Sequence, residues 1–388
     1  MAKARNPPQA IRAKVAGNQL ELIESGEGRL AAILGLIRNA KVSLKLLFYM
    51  FTADRSGTAV RDALAEAALR GVEVKLLIDG FGSGAPVNFF ASLEEAGGRI
   101  CVFNPQYGRR YLIRNHQKLA IADDQVALIG GANIDDTYMT DAGDERWRDL
   151  WLSIDGPAVQ CASSYFDSLF RWTTRKGSKM RTLRRLVAAD SQWRGLVQWK
   201  FSGPLSRRNS WWRSFGQDIG RAQALDMIFA YFAPPGALLR RIGRLARRRD
   251  GSARIITAAH SDNNATIGAA RHTYSRLLRR GVEMYEYRPA KLHTKLAIVD
   301  DVVHIGSSNF DFRSLYVNLE IMLRIKDQAF ADAMRGYFER EVGSSDRIDP
   351  AMHKLRANWW LRLKWALSSF LVTSMDYTVT RRLNFRSE

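Results

Sequence analysis

The amino-acid sequence predicts an α/β protein made of two similar lobes that arise from an internal repeat. A nine-residue pattern, HQKLAIADD at residues 116–124, returns as HTKLAIVDD at residues 293–301. Each copy is followed by a stretch from Gly to Asn, GGAN at residues 130–133 and GSSN at residues 306–309. Strand-like and helix-like segments alternate before each copy, which is typical of layered α/β lobes. Because the repeat spans this whole arrangement, it constrains the fold more than any single motif.

The first lobe is predicted to cover residues 21–170, after a polar N-terminal arm at residues 1–20. Apolar residues at helical spacing predict helices, and continuous apolar runs predict buried strands. Gly71 and the pair Gly97-Gly98 are predicted to end two of the helices. In chain order, these signals predict a helix at 30–39, a strand at 42–51, a helix at 58–70, a strand at 72–78 and a helix at 87–96.

The repeated motif is predicted to form a β-hairpin that carries polar groups at one end. In the first copy, the strands are expected at residues 119–122 and 126–129, joined by a turn at Asp123-Asp124. Side chains alternate between the faces of a strand, so His116 and Lys118 should point the same way. The same holds for His293 and Lys295 in the second copy. The Gly-to-Asn stretch then turns back toward the histidine, which brings an imidazole, an ammonium group and an amide together.

The second lobe is predicted at residues 216–345 and repeats the order of the first. GVEM at residues 281–284 matches GVEV at residues 71–74. The motif histidines lie 177 positions apart (293 − 116), which fits two lobes with one site element each. The predicted elements are a strand at 228–232, a strongly basic helix at 238–248, a strand at 253–258 and a helix at 268–280.

Two further segments are rich in Trp and basic residues. Residues 171–215 are interpreted as a basic, Trp-rich linker between the lobes, which suits an anionic membrane interface. A solvated linker with some Trp in the core, or a single-stranded nucleic-acid surface, are the alternatives. Residues 346–388 predict an amphipathic, membrane-associating tail, because Arg362 and Lys364 interrupt a run of Trp and Leu. The alternative is a helix that docks on the protein's own core or on a second subunit.

The polar groups of the motif suit chemistry at a phosphodiester. A neutral imidazole can attack phosphorus or move a proton near neutral pH. Lys and Asn side chains can hold phosphoryl oxygens where negative charge accumulates in the transition state. Two copies supply two histidines, so one can be the nucleophile while the other protonates the leaving oxygen. A single His-x-Lys would be an ordinary surface pair, but two copies with matching flanks indicate a duplicated site.

This pattern, H-x-K-x-x-x-x-D followed by G-x-x-N and present twice, resembles the signature of the phospholipase D superfamily. The resemblance covers residues 20–345, and its finer features are similar to the bacterial cardiolipin synthase branch. Those features are LIDGFGS at residues 77–83, Arg114-Asn115 before the first motif, Trp147-Arg148-Asp149, Tyr231-Phe232, Arg313-Ser314-Leu315 and Asn318-Leu319-Glu320.

The resemblance implies two phospholipase D-like α/β sandwich lobes with an active site in the cleft between them, and neither metal nor cofactor. It implies His116 as nucleophile and His293 as general acid. The remaining roles are also carried over from the family. Lys118, Lys295, Asn133, Asn309 and Ser307 would bind the phosphate, Asp149 and Glu320 would orient the opposite histidines, and the motif carboxylates Asp123 and Asp300 would support the hairpins rather than touch substrate.

The two copies differ in two respects. The second hairpin is one residue shorter, since His116 to Gly130 spans fourteen steps and His293 to Gly306 thirteen (130 − 116 and 306 − 293). This difference should shorten a turn without moving the site. The first copy also has Gly131 where the second has Ser307, so one phosphate contact is expected to be missing on the first side.

Composition favours a polyanionic partner. The net charge of +20 suits an anionic membrane or nucleic acid, and charge alone does not choose between them. The two cysteines, Cys101 and Cys161, suggest no disulfide framework. No secretory signal or apolar run long enough to span a bilayer is apparent. We therefore expect a peripheral protein on the cytoplasmic side of a bacterial cell membrane, with phospholipid substrates and without nucleic acid as a partner.

The resemblance implies a phosphatidyltransferase. It would move a phosphatidyl group from phosphatidylglycerol, through a phosphohistidine, to the hydroxyl of a second phosphatidylglycerol. A phospholipase D-type hydrolase that yields phosphatidic acid and a nuclease of the same superfamily are the enzymatic alternatives. A non-catalytic binder is disfavoured, because both His-x-Lys pairs are complete. The oligomeric state, the acyl preference and the second lipid substrate are not indicated by the sequence.

Overall fold

A computed structural model describes residues 10–103, 113–204 and 209–374 of the chain. Two eight-stranded sheets and the helices around them form the two expected α/β lobes. Within the described residues, no helix is both long and apolar enough to cross a membrane.

The first lobe contains one mixed sheet with helices packed against it. Its strand order is β1-β2-β9-β7-β6-β3-β4-β5, with β3, β4 and β5 parallel and the remaining pairs antiparallel. The elements are β1 (Arg12–Val15), β2 (Asn18–Ile23), α1 (Gly26–Asn39), β3 (Ser43–Phe48), α2 (Arg55–Leu69), β4 (Glu73–Asp79), a 3₁₀ turn (Val87–Phe90), α3 (Ala91–Glu95), β5 (Arg99–Phe103), β6 (Leu119–Ala122), β7 (Val126–Gly130), β8 (Trp147–Arg148), β9 (Trp151–Asp155), α4 (Val159–Thr174) and α5 (Met180–Asp190).

The second lobe repeats this arrangement. Its strand order is β10-β17-β16-β15-β11-β12-β13-β18, so β11, β12 and β13 take the places of β3, β4 and β5. The elements are β10 (Val197–Ser202), α6 (Ser210–Arg221), β11 (Ala224–Phe229), α7 (Gly236–Leu245), β12 (Ser252–Ala258), α8 (Asn264–Leu278), β13 (Glu283–Tyr287), β14 (Lys291–Leu292), β15 (Lys295–Val299), β16 (Val302–Gly306), α9 (Phe312–Tyr316), β17 (Glu320–Lys326), α10 (Gln328–Val342), β18 (Ser345–Arg347), α11 (Pro350–Arg356) and α12 (Trp359–Ser374).

The strands that lead to the site are apolar because helices or the other lobe cover both of their faces. Every residue of β3, β6 and β15 is buried. Such strands read as nearly continuous apolar runs, broken here only by Ser43 and Lys45 in β3 and by Lys295 in β15. One core cluster draws residues from both sheets and from α4 and α10, so the lobes share a hydrophobic interior. Tyr165 of the first lobe stacks on Phe201 of the second with ring centroids 3.7 Å apart. This shared core fixes the two motif hairpins relative to each other.

The hairpin turns differ by one residue, as the sequence predicts. In the first hairpin Ala122 pairs with Val126, which leaves three loop residues. In the second, Val299 pairs directly with Val302, which leaves two. Asp123, Asp124 and Asp300 have φ values of 53°, 57° and 49°, a left-handed conformation that Asp tolerates better than most residues. The missing residue therefore shortens a turn at the end of the hairpin away from the histidines.

Two predicted segments, the N-terminal arm and the linker, differ from the structure. β1 and β2 pair with each other and join the first sheet through β9, so the expected polar arm contains two strands; residues 1–9 lie outside the described part. The expected linker contains α5 and β10, and β10 pairs with β17 as an edge strand of the second sheet. Trp199 and Trp211 are fully buried there, because they fill the core behind that edge. Arg207 and Arg208 lie outside the described residues.

The predicted C-terminal tail is helical and packs on the second lobe. α11 and α12 both contact α8, and β18 extends the second sheet next to β13. His353 of α11 stacks on Trp365 of α12, with ring centroids 5.5 Å apart. Residues 375–388 of the predicted tail lie outside the described residues.

Candidate active site

His116 lies just before β6 and is held by the second lobe. Its backbone N–H donates to the carbonyl of Leu319 at 2.9 Å, and its neighbour Asn115 forms a parallel bridge with the same residue. Its Nδ1 atom lies 3.1 Å from the Glu320 carboxylate. The Glu320 side chain is fully buried. A carboxylate on Nδ1 fixes the proton there and leaves Nε2 facing the cleft.

His293 lies just before β15 and is held by the first lobe in the same way. Its backbone N–H donates to the carbonyl of Arg148 at 2.8 Å, and the preceding strand β14 pairs with β8. Its Nδ1 atom lies 2.6 Å from Asp149 Oδ2. Each lobe therefore supplies a histidine that the carboxylate of the other lobe orients, so the site is complete only when both lobes are present.

His293 is buried and His116 is mostly buried, and this desolvation lowers the pKa of both imidazoles. Burial lowers the pKa of His116; Glu320 opposes this shift and Lys118 adds to it. Burial and the charge of Lys295 lower the pKa of His293 to about 3, against the raising effect of Asp149. Burial alone would raise the pKa of Asp149, but the charges of Lys295 and His293 hold it below its usual value. A carboxylate beside a neutral imidazole is ready to stabilise the imidazolium once a negative substrate arrives.

The motif lysines lie beside the histidines. Lys118 Nζ donates to the backbone carbonyl of His116 at 2.7 Å, and Lys295 Nζ donates to the backbone carbonyl of His293. Burial lowers the pKa of Lys118 to about 7 and that of Lys295 to about 8. Two desolvated ammonium groups next to two imidazoles form a pocket that favours an anion.

The asparagines that follow the hairpins line the same cleft as the histidines. Asn133 Oδ1 accepts a hydrogen bond from the backbone N–H of Met50 at 3.2 Å. Asn309 Oδ1 is buried without a hydrogen-bond partner in the described part of the chain. A buried polar atom of this kind usually has a ligand or water as its partner.

Ser307 and Gly131 occupy matching positions but do not act as the sequence suggested. The Ser307 hydroxyl donates to Glu320 Oε2 at 2.5 Å and accepts from the backbone N–H of Ile321 at 3.1 Å. Its hydrogen bonds therefore hold the carboxylate rather than reach toward a phosphate. A Cβ at Gly131 would lie 2.6 Å from Asp149 Oδ2. Gly131 therefore leaves room for the Asp149 carboxylate in one half of the site, and Ser307 binds the Glu320 carboxylate in the other.

Asp123 and Asp300 lie away from the cleft, although both belong to the repeated motif. The Asp123 carboxylate accepts from the backbone N–H groups of Lys41, Val42 and Ser43 at 2.7 to 2.9 Å. The Asp300 carboxylate accepts from Gln223 and Ala224 in the equivalent place. They fasten the hairpins to the chain before the first strand of each lobe.

The cleft has a volume of 380 Å³ and is lined by both lobes. Sequence reasoning missed its aromatic walls: the ring of Tyr49 lies 4.9 Å from His116, and the rings of Trp147 and Tyr138 lie 5.4 Å and 5.2 Å from His293. It also missed Asp135 and Asp311, which line the cleft two residues after each motif Asn. Extending the repeat comparison by two positions would have found this pair.

Asp311 is buried in the wall of the cleft. Burial raises its pKa to about 6, while the backbone N–H of Ser314 opposes the shift. It caps α9 at the cleft wall. In the described part of the chain, no group of three or more His, Cys, Asp or Glu side chains has the arrangement needed to hold a metal ion.

The two-lobed fold and the paired His-Lys-Asn sites facing one cleft define the phospholipase D superfamily, as the sequence predicted. The chain belongs within it to the family described as cardiolipin synthase, PLD-like domain, whose model matches residues 33–170 and 217–342. It is 32% identical over 348 residues to cardiolipin synthase A of Pseudomonas putida strain W619, which covers 87% of this chain and 71% of that protein. It is 29% identical over 344 residues to cardiolipin synthase A of Pseudomonas fluorescens strain Pf-5, which covers 86% of this chain and 70% of that protein.

Solved structures agree on the fold. Phosphatidylserine synthase of Haemophilus influenzae Rd KW20 matches with a TM-score of 0.71 and 16% identity over 96% of each chain. Polyphosphate kinase of Porphyromonas gingivalis matches with a TM-score of 0.56 and 12% identity, over 90% of this chain and 53% of that one. The predicted fold class of two repeated α/β lobes is confirmed.

Proposed function

We propose that this protein is a phosphatidyltransferase that makes cardiolipin and glycerol from two molecules of phosphatidylglycerol. The observation that carries the proposal is the pair of histidines that face one cleft, each held through Nδ1 by a carboxylate of the opposite lobe. The relatives named cardiolipin synthase match most of this chain, and this supports a phospholipid as the substrate.

In the first step, His116 Nε2 attacks the phosphorus of the donor. A P–N bond forms, the P–O bond to the glycerol headgroup breaks, and His293 gives its Nε2 proton to the departing oxygen. His293 must therefore be protonated when substrate is bound. The negative charge of the diester offsets the positive charges of Lys295 and Lys118, and Asp149 stabilises the imidazolium that forms. Substrate binding therefore raises the pKa of His293.

In the second step, the hydroxyl of another phosphatidylglycerol attacks the phosphatidyl-histidine. His293 now accepts the hydroxyl proton, a P–O bond forms and the P–N bond to His116 breaks. Lys118, Lys295, Asn133 and Asn309 hold the phosphoryl oxygens through both steps, where the pentacoordinate transition state carries most charge. Water in place of the acceptor would give phosphatidic acid, so the hydrolase remains the nearest alternative.

We infer that the protein works at the cytoplasmic surface of the cell membrane as a peripheral protein. The net charge of +20 supports an anionic surface as its partner. We also propose that the first lobe starts at β1 and that the second lobe starts at β10 and carries α11 and α12.

The proposal is tested by mass spectrometry of products from purified protein and phosphatidylglycerol in mixed micelles, with His116→Ala and His293→Ala as matched variants. Cardiolipin and glycerol in equal amounts, formed only by the unaltered protein, are the expected result. Phosphatidic acid alone would assign a hydrolase. Absence of any lipid product, together with cleavage of a single-stranded oligonucleotide, would assign a nuclease.

A further inference from the structure

Helix α12 has one face that packs on the second lobe. Trp365 and Ser368 lie against Gly268 of α8, where a Cβ would come within 2.7 Å of the Ser368 hydroxyl. His353 bonds to Ser275 of α8 at 3.1 Å and stacks on Trp365, which ties α11 and α12 to the same helix. The helix is therefore a fixed part of the lobe.

The opposite face of α12 is apolar and exposed. Trp359, Leu363 and Leu367 are 63%, 56% and 51% exposed, and their spacing of four residues places them along one stripe of the helix. Trp360, also 63% exposed, stacks on Trp359 with ring centroids 3.8 Å apart. At 3.6 residues per turn, this stripe lies across the helix from Trp365.

Basic residues flank the stripe. Arg362 and Lys364 are exposed and lie on either side of it, each about 100° from its centre at 3.6 residues per turn. An apolar stripe bordered by cations is the arrangement of a helix that rests at a bilayer surface, with Trp at the level of the headgroups.

Helices α7 and α8, together with the residues that follow each of them, carry an arginine cluster, defined here by six residues that share a surface of the second lobe. These residues are Arg240, Arg244, Arg247, Arg276, Arg279 and Arg280. The pKa of the Arg280 guanidinium is lowered, first by desolvation and then by the positive charges of four other arginines of the cluster. Neither helix contains an acidic residue. No member forms an ion pair with a carboxylate in the described ranges. Such a patch of like charge favours a polyanionic surface as its partner.

The arginine cluster, the α12 stripe and the cleft are neighbours. Arg276 emerges about 80° around α8 from Gly268, so it stands beside α12 rather than beneath it, and Arg280 follows shortly after the end of α8. α12 also contacts α9. In α9, Phe312 is 45% exposed, and Arg313 and Ser314 line the cleft.

We propose that the outer stripe of α12 and the arginine cluster form one docking surface for an anionic bilayer, which brings the cleft to the lipid. The proposal rests on the proposed function, since a lipid substrate must be reached in its membrane. An apolar stripe with Trp at its end, beside a cluster of arginines, matches the acyl and headgroup layers of such a bilayer. A second copy of this chain would bring like charges together, which disfavours that occupant.

The test is co-sedimentation with phosphatidylcholine vesicles, with and without roughly 30% phosphatidylglycerol. The phosphatidylglycerol supplies the anionic surface that polybasic proteins recognise. The cluster variant is Arg240→Glu/Arg244→Glu/Arg247→Glu. Its control, Lys14→Glu/Arg38→Glu/Lys41→Glu, makes the same change in net charge on exposed residues of the first lobe.

The stripe variant is Leu363→Gln/Leu367→Gln, which leaves the packed face of α12 intact. We expect both test variants to bind the anionic vesicles at least tenfold more weakly than the unaltered protein, and the control to bind within twofold. Binding of the unaltered protein should fall with salt. Cardiolipin formation in detergent micelles should be unchanged in all three variants, since none alters the cleft.

Other outcomes overturn the proposal. Vesicle binding unchanged in the stripe variant, with a halved mass in solution, would assign α12 to a dimer interface. Vesicle binding unchanged in the cluster variant, with loss of oligonucleotide binding, would assign the arginines to nucleic acid. Absence of turnover in micelles for the unaltered protein would refute the proposed function instead, whatever the vesicles show.

Discussion

The substitution Glu320→Gln should slow the reaction strongly while leaving the fold intact. Glu320 is fully buried in the second lobe, and its carboxylate lies 3.1 Å from Nδ1 of His116 in the first. Glutamine keeps the shape and the hydrogen-bonding capacity of the side chain but removes its charge. Because the amide can also present a donor NH2 group to Nδ1, the imidazole tautomer is no longer fixed, and the charge that supports the imidazole when it bonds to phosphorus is lost.

The expected magnitude follows from this geometry. A hydrogen bond to a charged group contributes about 1.5–3 kcal/mol net. Two unit charges about 4 Å apart interact by about 4 kcal/mol at an effective dielectric constant of about 20. A loss of about 3 to 4 kcal/mol in the transition state corresponds to a roughly 10²- to 10³-fold fall in kcat. KM should change little, because Glu320 reaches the substrate only through His116.

The assay is cardiolipin formation in mixed micelles at saturating phosphatidylglycerol. The matched control is Glu286→Gln, since Glu286 is also buried and paired, with Arg271, but lies outside the cleft. Circular dichroism should show both variants folded. A kcat for Glu320→Gln within threefold of that of the control would refute the reasoning that the opposite lobe activates His116.

Three further predictions concern the same site. We expect kcat/KM to fall between pH 7 and 8 as Lys118, with a pKa of about 7, loses its charge. In Lys118→Arg this alkaline decline should move to higher pH, and a flat profile to pH 9 would contradict the prediction. Gly131→Ser should cut activity at least tenfold, because its Cβ would meet the Asp149 carboxylate at 2.6 Å, while Gly336→Ser, which meets no atom within 4 Å, should stay fully active. Because the pKa of His293 is about 3 in the folded protein and about 6.5 when unfolded, the unfolded chain binds more protons between these values. The free energy of unfolding, measured by urea unfolding at each pH, should therefore fall as pH drops from 6.5 toward 3. It should fall less steeply in His293→Asn, and the same pH dependence in both proteins would count against this.

The sequence predicted the elements that are buried on both faces. β6 is apolar throughout and β15 is apolar after Lys295, and the repeated turn residues set the ends of the hairpins. β10 was missed because the basic, Trp-rich surroundings favoured a linker, although Gln198 and Lys200 alternate with apolar residues as in a strand. Both are buried, and their side chains donate hydrogen bonds to the carbonyls of Gly195 and Gln192. No sequence pattern predicts these partners.

The candidate site was predictable where a residue repeats and not where its partner comes from elsewhere in the chain. The His-Lys pairs and asparagines came from the repeat, and the resemblance supplied Asp149 and Glu320. The expected role of Ser307 differed because a hydroxyl next to a buried carboxylate bonds to it first. The sequence predicted an amphipathic tail, but only the structure separates the exposed stripe of α12 from its packed face, since both faces carry apolar residues.

The measurement that tests the central claim most directly is to trap the covalent intermediate in His293→Ala. The donor is a phosphatidyl ester of p-nitrophenol, whose leaving group needs no general acid. The account predicts a burst of one p-nitrophenol per site and a phosphatidyl group on His116, detected by mass spectrometry, because the base for the second step is missing. His116→Ala should show neither. An adduct on another residue, or turnover without any adduct, would contradict the account.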